Sequence, residues 1–191
     1  MKINVRDMVL ISLFAGLTAI GAWCTIPLPT PVPFTLQILF CMYSGLLLGS
    51  KRGALSQVVY VMMGLAGMPV FSGGSGGISY VAKPTFGYLI GFIICAYLIG
   101  KLTEKTEKIN IFNLTVYVVL GLFVEYAIGA TWLYFNMKFY LTMEYTVKQA
   151  VVGGVLPFVV WDLLKGFIAV STSLIVLPRL RRLGYIDTLY K

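Results

Sequence analysis

The last long apolar run of the chain, residues 151–177, carries Phe-Val-Val-Trp-Asp-Leu-Leu-Lys-Gly-Phe at 158–167, near its middle. An acid and a base inside a stretch fit for lipid are costly and mark a site by default. Asp162 and Lys165 stand three apart, so a helix places them on one face, where they share a partner or meet each other. Any fold for this chain has to shelter that pair.

The run is one of six. Spans are expected at residues 8–24, 35–48, 54–68, 85–100, 111–135 and 151–177 of a 191-residue chain that is 59% hydrophobic and 14% aromatic. That exceeds what a soluble core needs. The runs are also too long and continuous for a membrane β-barrel, whose alternating strands take about 10 residues each. The sequence therefore predicts an all-α integral membrane bundle of six transmembrane helices, forming a single domain over residues 1–191. No cleavable leader is expected, because the first apolar run ends in a proline-rich loop without a small-residue cleavage site.

The net charge of +8 is unevenly placed. Lys2, Arg6, Lys51, Arg52, Lys101, Lys105, Lys108, Arg179, Arg181, Arg182 and Lys191 fall in tails or alternate loops, against Lys83, Lys138 and Lys148 on the other side. By the positive-inside rule both termini are cytoplasmic, and the charge serves topology and anionic lipid rather than nucleic acid. There is no histidine, and Cys24, Cys41 and Cys95 lie widely spaced in apolar runs. This argues for buried thiols, and against a disulfide framework, a zinc site or haem.

Two loops stand out. Proline at every second position from Pro27 to Pro33 predicts a stiff outer segment leading into Phe34, Thr35 and Gln37 at the mouth of the second span. Thr35 and Gln37 offer hydrogen-bonding groups to a ligand, or Thr35 caps the helix. Spans two and three, joined by a tight turn at Gly49-Ser50-Lys51-Arg52-Gly53, have roughly 15 residues each and reach about 22 Å, short of the roughly 30 Å hydrocarbon core. Paired short segments of this kind point to a cavity opening outward. The second loop, 68–80, contains Gly73, Gly74, Gly76 and Gly77, with Ser79 and Tyr80 after them. Its backbone can take positive φ, and it lacks the Gly-Lys-Ser/Thr continuation of a phosphate loop, so a flexible lid or close wall for a small ligand fits.

Elsewhere, Glu104 and Glu107 give the 101–108 loop the look of solvated surface, whereas Glu125 lies inside the fifth span. Counted from the outer ends, Glu125 and Asp162 each sit about 10 residues in, so the two acids and Lys165 are expected at one depth. In the first span Ala15 and Ala19 are four apart, with Ser12, Gly16 and Ala22 nearby, making a low-bulk face for close approach of another helix, inside the bundle or outside it. Three chemistries fit the intramembrane charges: a structural salt bridge, a proton or ion path as in a solitary proton-driven secondary transporter, and the polar floor of a pocket for a small organic molecule. No Gly-x-Ser-x-Gly or His-Glu-x-x-His motif speaks for an enzyme.

The segments at 27–37, 45–53, 67–77 and 83–92 and the Asp-Leu-Leu-Lys pair at 162–165 together resemble the BioY family, in order and over nearly the whole chain. These proteins are the biotin-specific substrate-capture (S) components of energy-coupling-factor (ECF) transporters. The resemblance implies a six-helix protein of the prokaryotic cytoplasmic membrane that binds biotin from outside at high affinity and needs no cofactor or metal. It also implies partners, a membrane coupling (T) component and two cytoplasmic ATPases, docked through the Ala-x-x-x-Ala face that Ala15 and Ala19 match. The ligand set it implies is centred on Asp162 and Lys165, which would meet the ureido ring or the carboxylate. Around them stand Thr35, Gln37, Gly73, Gly74, Ser79 and Glu125, with Phe34, Tyr80, Trp132 and Trp161 as candidates for the thiophane ring. The chain departs from the family pattern at Phe86-Gly87 and at Ser79, where the family often has Gly-Gly and Asn.

Overall fold

A computed structural model describes residues 4–107 and 109–184. Lys2, Lys108 and Lys191 of the charge map lie outside the described residues. Among those described are seven α-helices, α1 (Val5–Trp23), α2 (Gln37–Leu48), α3 (Ser50–Leu65), α4 (Phe86–Glu104), α5 (Ile111–Phe135), α6 (Val147–Gly154) and α7 (Leu156–Arg182). Strand-like pairing within them is limited to the isolated bridges Ile26–Phe34 and Phe71–Ser75. Four helices are long and apolar enough to cross a membrane: α1, α4, α5 with its π-helical extension to Tyr140, and α7; α2 is a shorter apolar helix.

The expected sixth span is two helices. Pro157 lacks the N–H that would continue the helix from α6, but it fits the first turn of a new one, so the chain breaks at Val155 (φ −125°, ψ −61°) and restarts. The expected cytoplasmic turn at 49–53 is also tighter than its composition implies. Only Gly49 separates α2 from α3, at φ +82°, and residues from Ser50 onward are already helical. With 12 residues, α2 is about 18 Å long, so its start lies well below the end of the bundle and the proline loop covers the difference.

One end of the bundle is stitched by polar contacts. Arg52 pairs with Asp7 at 2.9 Å, bringing the starts of α1 and α3 together. Glu104 accepts from the Ser50 amide (2.7 Å) and hydroxyl (2.8 Å), so it caps α3 from the end of α4 instead of lying on solvated surface as expected. Arg181 at the end of α7 donates to the Thr103 carbonyl at 2.7 Å. These contacts gather Arg6, Lys51, Lys101 and Lys105 at the same end, while Lys83, Lys138 and Lys148 sit in or beside the loops at the other.

Inside, α4 is the most buried of the long helices, packed against α2, α3 and α5. α1 lies across α2 and α3, where Ala15 and Ala19 are 0% and 8% exposed and belong to the core. Their low bulk serves close packing within this chain, with Thr18 one turn along accepting a hydrogen bond from Gln57 of α3 at 3.2 Å. Both residues are covered within this chain, Ala15 fully and Ala19 nearly so, and a partner-docking role for the Ala15–Ala19 face is a proposal. The cysteine expectation is corrected in one case, since Cys24 is exposed while Cys41 and Cys95 are buried.

Close approach sets a test of this packing. A Cβ on Gly45 would stand 2.7 Å from the Ala96 carbonyl oxygen of α4, whereas one on Gly16 would meet nothing within 4 Å. Gly45→Ala is expected to lower stability by about 1–3 kcal/mol, and Gly16→Ala to leave it unchanged or slightly raised, read as thermal unfolding midpoints in detergent.

Candidate ligand-binding site

At the end opposite the polar stitching, a cavity lies between α2, α4, α5 and α7 and under both unusual loops. The space within it, counted together with its open mouth, is about 530 Å³. Val32, Pro33 and Thr35 line it from the proline loop, and Ser72, Tyr80 and Thr85 from the glycine-rich loop and the turn after it.

Its charged floor comes from α7. Asp162 and Lys165 share a face, their side chains 8% and 7% exposed, and Lys165 Nζ lies 2.7 Å from Asp162 Oδ1. The same ammonium donates to the Thr35 carbonyl at 2.7 Å and sits 4.0 Å from the centroid of the Phe34 ring, so it holds the end of the proline loop against α7. The Tyr126 hydroxyl donates to the other oxygen, Asp162 Oδ2, at 2.5 Å. Each carboxylate oxygen has two lone pairs, so Asp162 retains acceptor capacity after both bonds. The pair is therefore satisfied within the protein and still able to receive N–H donors.

Glu125 of α5 lines the same cavity, 3% exposed, and its Oε2 has no hydrogen-bond partner among the described residues. Gln37 lines it from the start of α2. Tyr80 stands outside the long helices, in a 3-10 turn at Ile78–Ala82; burial pushes its phenol above the usual range, partly offset by its hydrogen bond with Thr85 at 3.1 Å. It stays a neutral hydroxyl in the wall.

Of the residues expected at the site, Asp162, Lys165, Gln37, Thr35, Tyr80 and Glu125 line one cavity, and Phe34 lies against Lys165. Others do not line it. Gly73 and Gly74 adopt positive φ (72° and 68°) as expected of glycine, but they and Ser79 are exposed. Trp161 is 54% exposed and meets Phe34 edge-on, while Trp132 lines a separate apolar crevice and donates to the Lys83 carbonyl at 3.1 Å. The glycine-rich loop is also less free than a lid. Phe71 is fully buried, its ring filling the space that the missing side chain of Gly64 leaves on α3, and the Gly77 amide donates to the Gly64 carbonyl at 2.7 Å.

Sequence reasoning missed Tyr126, Tyr88, Phe92 and Phe158, all in the lining. Phe158 precedes Asp162 by four and so shares its face, a readable signal. Tyr88 could not be found that way: its hydroxyl donates to the Gly154 carbonyl at 2.9 Å, a group presented where the Pro157 break ends α6.

The BioY family model matches residues 1–182. This chain belongs to the BioY family. A probable biotin transporter BioY of Lysinibacillus sphaericus is 43% identical over 156 residues, 82% of this chain and 79% of the relative. A biotin transporter BioY of Thermotoga maritima is 40% identical over 169 residues, 88% and 94% of the two chains. Among solved structures, the S-component for biotin from an ECF-type ABC transporter superposes with a TM-score of 0.80 at 28% identity, covering 93% of this chain and 92% of that one. Membership places this BioY-family chain among transporters and not enzymes.

Breaking a buried pair on one side costs more than removing both charges. Asp162→Asn is expected to destabilise the protein by about 3–5 kcal/mol, and the double change Asp162→Leu with Lys165→Met to recover much of that loss, measured by thermal unfolding of the purified chain.

Proposed function

We propose that this chain is the biotin-capturing S component of an ECF-type importer in the cell membrane, with six crossings and both termini cytoplasmic. The buried Asp162–Lys165 pair on the floor of the loop-roofed cavity carries this reading, in a chain whose solved relative is an S-component for biotin. Biotin offers two ureido N–H donors, one carbonyl, an apolar thiophane ring and a carboxylate. Asp162 has lone pairs for N–H groups, Lys165 has an ammonium for a carbonyl or carboxylate, and Phe92, Tyr88 and Phe158 supply apolar wall. The cluster of Arg6, Lys51, Lys101 and Lys105 at the opposite end supports a cytoplasmic assignment for that end. Energy would come from a T component and two cytoplasmic ATPases. Bringing Lys165 to the ligand would loosen its bond to the Thr35 carbonyl, which links occupancy to the proline loop.

Titration of the purified chain with labelled biotin should give saturable binding. Asp162→Asn and Lys165→Ala should each weaken it at least about thirtyfold, since each leaves a buried charged partner unpaired; undiminished affinity in both contradicts the site. Uptake by cells should require the T component and the ATPases. Uptake that persists without them and collapses with an uncoupler would instead support a solitary proton-driven carrier.

A further inference from the structure

Tyr60 of α3 is fully buried and does not line the cavity, yet it controls a residue that does. Its hydroxyl lies 3.0 Å from the Val70 carbonyl oxygen and 2.6 Å from Gln37 Nε2. A phenol has one proton and a backbone carbonyl only accepts, so that proton goes to Val70. The Gln37 group facing Tyr60 must then be the donor, its NH2, and not its carbonyl. With the nitrogen held toward the wall, Oε1 is left as the acceptor on a side chain that lines the cavity. The ring that delivers the hydroxyl is itself fixed, because Phe71 meets it edge-on with centroids 5.6 Å apart and is 0% exposed.

We propose that Tyr60 is a positioning residue and a determinant of specificity: without touching ligand, it fixes Gln37 as a hydrogen-bond acceptor toward the cavity, selecting for N–H donors on the bound molecule. The proposal rests on the biotin reading above for the identity of that molecule. A buried hydroxyl placed one residue layer behind the wall thus sets the polarity of the wall. Were Tyr60 to lose its hydroxyl, the Gln37 amide could turn over and present its NH2 instead, meeting an N–H donor with a donor.

Tyr60→Phe keeps the ring and its contact with Phe71 and removes the oxygen. In the purified chain the Kd for biotin is expected to rise about tenfold, the size of one well-formed hydrogen bond. In a Gln37→Leu background the same change should alter Kd by less than about twofold, because the group through which Tyr60 acts is gone. An unchanged Kd in Tyr60→Phe, or an equal loss in both backgrounds, overturns the proposal. A readout without ligand separates it from the biotin reading: hydrogen exchange of the Gln37 side-chain NH2, assigned by its disappearance in Gln37→Leu, should be faster in Tyr60→Phe. Unchanged exchange overturns the orientation argument. If wild-type protein fails to bind biotin while exchange still accelerates, the biotin reading falls and the positioning role of Tyr60 stands.

Discussion

The structure depends on keeping two opposite charges at membrane depth without exposing either to lipid. A lone carboxylate or ammonium there is prohibitively unfavourable, and an ion pair recovers the desolvation only when its remaining valences are also met. Asp162 meets Tyr126 as well as Lys165, and Lys165 meets the Thr35 carbonyl and the Phe34 ring as well as Asp162. Three separate segments, α5, α7 and the proline loop, are therefore drawn to one point. The short α2 leaves room for that point, and the break at Val155 provides a carbonyl for Tyr88 on its far side.

The two ends of the bundle divide the work. One end is closed by side chains that bond across helices, Arg52 with Asp7 and Glu104 with Ser50, and its interior is filled by small residues packed backbone to backbone. The other end is built from loops around a space. Within the loop end the two segments differ: the glycine-rich loop is anchored on α3 by Phe71 and Tyr60, whereas the proline loop is held near α7 through a carbonyl that a ligand could displace.

Much of the fold and part of the candidate cavity's lining were legible in the sequence, for physical reasons that also explain what was missed. Asp162, Lys165, Glu125 and Gln37 stood out because polar groups in an apolar run need a reason to be there. The aromatic wall did not, since Tyr126, Tyr88 and Phe158 look like any packed aromatic until their neighbours are known. Ala15 and Ala19 showed a low-bulk face, but spacing alone does not say which helices lie against it; within this chain α1 packs on α2 and α3. Glu104 was misread because its partner, the start of α3, is distant in sequence. The break before Pro157 was written in the chemistry of proline and was masked by the apolar continuity on both sides of it.

The most direct test of the central claim is an experimental structure of the chain with biotin bound. It should place the ligand in the cavity beneath the proline and glycine-rich loops, with polar atoms of biotin within hydrogen-bonding distance of Asp162 and Lys165. Biotin seated elsewhere, with the Asp162–Lys165 pair out of its reach, would contradict the account.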